Sequence, residues 1–190
     1  MKYKAGGDLS EGSRLSKEGT YHLTITSVDE PPIYSNGEKL IASAMFRLNF
    51  LIHAGTVDGM KDKICNEMFF EPKEDNEKKK AFVIKKMDKL LVATSMMSEE
   101  EVESQAEVEF SWQALRGRQM VVKFAKGKDD YINMNFTDMW HVDDPKVKSV
   151  PKDQGALSIL PKSQRRDEKN KPMAPLDRGD VEAESETEVF

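Results

Sequence analysis

The hydrophobic period of this chain changes twice between residues 19 and 145, and that change restricts its possible folds more than any other feature. Residues 19–28 (GTYHLTITSV) alternate, with Tyr21, Leu23 and Ile25 on one face and His22, Thr24 and Thr26 on the other, the period of a half-buried strand. Pro31-Pro32 and Ser35-Asn36-Gly37 mark a turn-rich connection. Residues 40–52 predict a longer second strand, with Phe46, Leu48 and Phe50 inward and Met45, Arg47 and Asn49 outward. A loop over 53–63 then leads to a third strand at 64–70 (ICNEMFF). From Asn76 to Met96 the period becomes helical. Phe82, Val83, Met87, Leu90, Leu91 and Thr94 share one stripe, and Lys78, Lys79, Lys80, Lys85, Lys86 and Lys89 take the remaining surface. Ser98 and Glu101 form a capping box for a short helical turn, and Ser111 caps another that Gly117 ends. Residues 118–125 and 131–142 alternate once more, joined by Lys126-Gly127-Lys128-Asp129-Asp130, a connection short enough for a hairpin.

Three strands, a helix and two strands, in that order, are the connectivity of the OB-fold, a small Greek-key barrel that binds oligonucleotides across its second and third strands. The expected architecture is therefore mainly β: a five-stranded OB-fold-like barrel with a helix between strands three and four, and a disordered C-terminal tail. Closing the sheet would also remove the exposed edges that such strands present.

Charge divides the chain further. Residues 1–145 carry 20 basic and 25 acidic side chains; residues 146–179 carry nine basic and four acidic; residues 180–190 carry five acids and no base. The middle piece holds four of the eight prolines, directly after Pro145, and no Phe, Tyr or Trp, too little apolar surface to offset the entropy of ordering it. The layout read from this is a flexible N-terminal arm at 1–18, one globular domain at 19–145, a flexible basic linker at 146–179 and an acidic tip at 180–190. The first eight residues lack the apolar segment of a secretory signal, and no stretch approaches the about 18 apolar residues of a membrane span. One cysteine, Cys65, rules out an intrachain disulfide. A cytoplasmic protein without membrane, metal or cofactor is the expectation.

Enzymatic chemistry finds little support. His22, His53 and His141 lie on separate elements, with no His-x-x-x-His pair, no phosphate-binding Gly-rich loop and no Gly-x-Ser-x-Gly elbow. Cys65 sits in an apolar strand, as a buried inert thiol would. Binding single-stranded nucleic acid needs cations along the phosphates and flat side chains on which bases stack, each stack contributing about 1–3 kcal/mol. The outward positions of the expected barrel offer both: Arg47 on strand two, Lys61 and Lys63 in the next loop, Phe69 on strand three, Arg116 and Arg118 around Gly117, Lys123, Lys126 and Lys128 on strand four and its hairpin, and Tyr131 on strand five. Trp112 and Trp140 are expected in the core.

Asp180, Glu182, Glu184, Glu186 and Glu188, followed by the terminal Phe190, are similar to the acidic C-terminal tips of bacterial and phage single-stranded DNA-binding proteins. Val189 stands where the bacterial type has proline, and glutamates replace most of its aspartates. Gly19-Thr20-Tyr21, the Asp58-Gly59 loop before a Phe-Phe strand, and Trp112-Gln113-Ala114-Leu115-Arg116-Gly117-Arg118 before an apolar strand resemble small phage proteins of replication and recombination modules, over roughly residues 15–145. The resemblance implies an OB-fold body that holds single-stranded DNA in replication, recombination or repair, and a tip that competes with DNA and recruits a polymerase, helicase or recombinase. Phage origin would place it in the host cytoplasm. An oligomer would use strand one or the amphipathic helix. The acidic body favours a rival expectation, an adaptor or inhibitor that binds no DNA and whose tail imitates it.

Overall fold

The computed structural model describes residues 14–30, 36–37, 44–72, 76–127 and 131–165. Five strands, β1 (Gly19–Asp29), β2 (Ala44–Gly55), β3 (Ile64–Phe70), β4 (Gln119–Lys126) and β5 (Ile132–Trp140), form one antiparallel sheet in the order β3-β2-β1-β4-β5, curled into a half-barrel. Helix α1 (Glu77–Ala93) and the short α2 (Glu99–Glu103) lie between β3 and β4, and α3 (Gln154–Ser158) follows β5. The chain is mainly β, as its alternating segments predict.

The curl originates in β1. Residues 19–24 of this strand pair with β4, while 21–29 pair with β2, so one strand serves two hairpins. Two register shifts bend its pairing with β2, with Thr26 the extra residue in β1 and His53 the extra residue in β2, because each extra residue increases the local twist. Its Tyr21 ring lies over Gly55 of β2, where any Cβ would collide with it, and the Tyr21 hydroxyl donates to Lys17 O at 2.9 Å. Residues 14–18 are accordingly not a loose arm. Arg14 bridges to Ile64 at the start of β3, Leu15 N donates to Ile64 O, and Leu15 packs against the core.

Inward-facing Tyr21, Leu23, Ile25, Phe46, Leu48, Phe50, Ile52, Met120, Val122 and Phe124 fill the concave side, joined by Leu90 and Leu91 of α1. Phe69 stacks on Phe46 with centroids 5.0 Å apart, the Trp112 ring is tilted against Phe46 with centroids 4.3 Å apart, and Phe110 meets Trp112 edge-on. This aromatic row places Trp112 against the core, where its sequence context puts it.

Two helix expectations change. Helix α1 stops at Ala93, with Thr94 closing its last turn, and not at Met96. Its buried side is also rotated: Phe82 is half exposed, whereas Lys86, read as a surface residue, is 6% exposed. β3 and β5 are the two edges of the sheet, and α1 packs against both. Lys86 Nζ donates to Glu67 Oε1 and, at 3.0 Å, to Met68 O of β3, while lying 4.5 Å from the Phe69 ring centroid and 5.2 Å from that of Phe136 on β5. One ammonium thus ties both edges through an ion pair and two ring faces. An aliphatic stripe cannot do this, which is why a lysine takes the core-facing position. Local capping fixes where the helices start: Asn76 accepts from Lys79 N, and Ser98 with Glu101 forms the expected reciprocal box.

The largest departure concerns the segment after β5. Residues 146–165 were expected to be loose linker; they pack on the convex side of the sheet as a strap of short turns, at Pro145–Val147, α3 and Lys162–Gln164. Val147, Ala156, Leu160 and Gln164 are buried. The rest of the linker and the whole acidic tip, including Asp180, Glu182, Glu184, Glu186, Glu188 and Phe190, lie outside the described residues.

Replacing Lys86 by Ala leaves Glu67 unpaired and two rings without their cation. We expect Lys86→Ala to lower stability by about 2–3 kcal/mol, with part of the loss recovered in Lys86→Met through its retained stem. Urea unfolding of the three proteins measures both effects.

Candidate nucleic-acid interface

The convex side of the sheet is divided in two. Over β1 and β4 it is covered by the strap, which buries Val147, Ala156 and Leu160 and is tied down by a network of hydrogen bonds. Gln119, whose side chain points outward from β4, donates to Ala156 O at 2.6 Å; its backbone N–H donates to Gln164 Oε1 at 2.8 Å, and Gln164 Nε2 donates back to Gln119 O. His22 of β1 joins the same network. Its Nδ1 accepts the Asp153 N–H at 3.2 Å, so its proton sits on Nε2, which donates to Gln119 Oε1 at 2.9 Å. At the strap's neck His141 repeats the pattern, accepting the Asp143 N–H at Nδ1 and donating from Nε2 to Gln164 O at 2.8 Å.

Over β1, β2 and β3 the convex side is open. Thr24 and Thr26 of β1, Arg47, Asn49, Leu51 and His53 of β2, and Ile64, Asn66 and Met68 of β3 lie here, all half-buried or exposed. Asn49 Nδ2 donates to Ser27 Oγ at 2.8 Å and to Asp29, and His53 Nε2 lies 2.6 Å from Thr24 Oγ1. His22 and His53 rings are 5.3 Å apart, so the strap's boundary falls between them. This open face has hydrogen-bonding groups and apolar patches but little net charge.

The residues proposed from sequence are dispersed by this architecture. Arg47 lies on the open face but is 3.1 Å from Asp29, whose carboxyl is held below its usual range despite partial desolvation by bonds from Ser27, Arg47 and Asn49. Lys61 is paired with Asp153 at 2.8 Å, and that bond with the Ala156 N–H holds the Asp153 carboxyl down at about 2. Lys63, Lys123 and Lys126 gather with Lys61 near the start of β1, since Lys123 is opposite Thr20 and the β2–β3 loop meets Thr20 through Thr56. Lys123 and Lys126 are exposed; Arg116 is exposed at the other end of the sheet, beyond Ile25. Five residues of β1, from Thr20 to Ile25, separate those ends, about 17 Å. Tyr131 is 73% exposed at the tip of the β4–β5 hairpin and can present a ring face to solvent. Lys128 lies outside the described residues.

Two of the proposed residues do not belong to any surface. Phe69 is fully buried and stacked on Phe46, so no base can reach it; the adjacent Phe70 is the one that turns outward. The β2–β3 register decides this, because Phe69 is opposite inward-facing Phe46. Arg118 is 3% exposed, and its guanidinium donates to Ala114 O, Thr94 O, Ser95 O and Ser163 Oγ. It collects the carbonyls left at the end of α1 and anchors the strap, a structural use of all three of its nitrogens.

Sequence reasoning missed the strap's own cations, Lys146, Lys148, Lys152, Lys162 and Arg165, by treating them as linker. Asp153, three residues before Ala156, is an N-cap signal that marks this segment as folded. Cys65 is inert: burial first, and then Glu67, pushes its thiol up to about 12. Among the described residues no group of three or more His, Cys, Asp or Glu side chains could hold a metal ion, and no helix is long and apolar enough to cross a membrane. No protein-family model matches the sequence, and comparison with curated proteins gives no match.

The strap's hold on the sheet is pH-dependent. Burial is the main cause that lowers the His22 pKa to about 4, and a second proton would face the Asp153 N–H. Because folding favours the neutral ring, this contribution to stability is complete above pH 6.5 and is lost as pH falls from 6.5 through 4. We expect His22 to titrate near 4 by NMR and the amide protection factors of Asp153 and Gln119, taken relative to intrinsic exchange, to fall over the same range. A His22 titration at 6.5 would show the strap to be loose.

Proposed function

We propose that this chain is a non-enzymatic single-stranded DNA-binding protein of the OB-fold type, phage-encoded and active in DNA replication and recombination. The observation that carries the reading is the strand order: β1 is shared between the β2–β3 and β4–β5 hairpins, with the helix between β3 and β4 seated across the two sheet edges. That is the order of an OB-fold opened between its third and fifth strands. In such folds the second and third strands receive the oligonucleotide on their outer side, and here that side is uncovered.

The chemistry of the open face suits a ligand bound with little sequence selectivity. Leu51, Ile64 and Met68 supply apolar contact for base faces; Thr24, Thr26, Asn49 and Asn66 supply donors and acceptors; Tyr131 supplies a stacking ring at one end. Lys63, Lys123 and Lys126 attract the backbone at that end, and Arg116 at the other. Few aromatic rings and an acidic domain imply modest affinity that falls steeply with salt. In this proposal the acidic tip, Asp180 to Phe190, competes with DNA for the cations and, once displaced, offers Phe190 and its glutamates to a polymerase, helicase or recombinase. Several copies on one strand would concentrate these tips.

Titration of oligo-dT, followed by fluorescence anisotropy across a salt series, tests the reading with the full chain and a chain lacking residues 180–190. We expect binding by both, tighter for the truncated chain and most so at low salt. Absence of binding by either in dilute buffer would falsify the DNA-binding reading and leave the adaptor, whose tail imitates nucleic acid, in its place.

A further inference from the structure

The proposed interface is short of available cations. Of the residues that sequence placed there, Arg118 is buried, Arg47 is paired with Asp29 and Lys61 with Asp153. The strap has the opposite character. Pro145–Arg165 carries five basic residues and one acid, and that acid, Asp153, is already engaged by Lys61 and by the α3 N-terminus. Asp144, just before the strap, accepts the Lys146 N–H as a cap. Lys146, Lys148 and Lys162 are exposed, and the segment that bears them is held to the sheet by His22, Gln119, Arg118 and His141. The strap also borders the open face: Asp153 meets His22, whose ring adjoins His53, which in turn bonds Thr24.

We propose that the strap is the phosphate-contacting wall of the interface, with Lys146, Lys148 and Lys162 taking the backbone of a single-stranded polynucleotide whose bases lie on the open face of β1–β3. This rests on the DNA-binding reading above and adds where its charge comes from. A strongly positive surface joined to a nearly neutral, hydrogen-bonding one fits a ligand with an anionic edge and flat polar units. An acidic peptide would use the cations and leave the sheet face idle. The wall is also pre-ordered: its cations are carried by a packed segment, so binding does not bear the entropy of folding a linker.

The test uses full-length protein and oligo-dT over a salt series. Each phosphate contact with a single strand contributes about 0.7 to the slope of log K against log salt. The triple variant Lys146→Gln, Lys148→Gln, Lys162→Gln should flatten the slope by about 2 and weaken binding roughly tenfold or more at moderate salt. Its Gln119 and Asp153 amides should keep parental exchange rates, since none of the three side chains pins the strap. A charge-matched control on α1, Lys78→Gln, Lys79→Gln, Lys85→Gln, should bind like the parent. An unchanged slope in the strap variant, or an equal effect from the α1 variant, overturns the wall while leaving DNA binding intact. Failure of the parent to bind overturns both.

Discussion

A strand hydrogen-bonded along both edges must satisfy two antiparallel partners whose twists accumulate, and β1 does so only by bending. Two register shifts in its pairing with β2, at Thr26 of β1 and His53 of β2, turn a would-be flat sheet into a half-barrel, and most of the remaining architecture follows. The concave side closes over an aliphatic and aromatic core. The convex side near β4 acquires residues that a solvent-facing strand would not keep, His22 and Gln119 with the apolar Val121, all fully buried. Such a surface requires a cover that hydrogen-bonds, because burying these side chains without partners is costly. The strap is that cover, and Gln164, exchanging bonds with the backbone of Gln119, acts much like a residue of an additional strand.

The other edge problem is resolved with a charge. β3 and β5 do not meet, and a helix lying across the gap presents side chains, not backbone, to each strand. Lys86 reaches Glu67, the Met68 carbonyl and the rings of Phe69 and Phe136 together, which Leu or Met at that position cannot do. Arg118 performs the equivalent task at the helix's far end, where carbonyls of Thr94 and Ser95 lack helical partners. The two cations most thoroughly buried in the domain therefore hold elements together. Arginine and lysine content by itself was a poor guide to where a ligand would be gripped.

How much was legible in the sequence depends on which force placed each residue. Alternation located β1, β4 and β5 closely, because an exposed face and a core face differ in every second side chain. It also set Phe46, Leu48 and Phe50 inward. It could not choose between Phe69 and Phe70, since adjacent phenylalanines satisfy either register and only pairing with Phe46 decides. Helical periodicity found α1 but misplaced Lys86, because the stripe is judged by hydropathy and a lysine paired with Glu67 counts as polar whichever way it points. The strap was illegible for a related reason. Its composition is that of a linker, and its order comes from hydrogen bonds to His22, Gln119 and His141, made across 23 to 131 positions of the chain by no periodic rule. Of the candidate site, the exposed Tyr131, Arg116, Lys123 and Lys126 were readable as hairpin and loop residues. The dispersal of the others was not, because it follows from which partner each one found.

Ordering the strap also changes the electrostatics of the domain. Counted as linker, residues 146–165 leave an acidic body with a mobile basic string behind it. Counted as part of the fold, they bring five cations against a single acid onto one face, while Glu99, Glu100, Glu101 and Glu103 remain with α2 between β3 and β4. Net charge near neutrality then hides an uneven distribution of sign along the chain, and screening at physiological salt, over about 8 Å, makes nearby charges count for more than distant ones. A polyanion approaching such a surface is guided by the local face and not by the total. This is how a protein of net charge −5 can present a basic surface, and the packing of Gln119 against the strap, more than the count of lysines, decides whether these cations are held on the sheet or left on a loose chain.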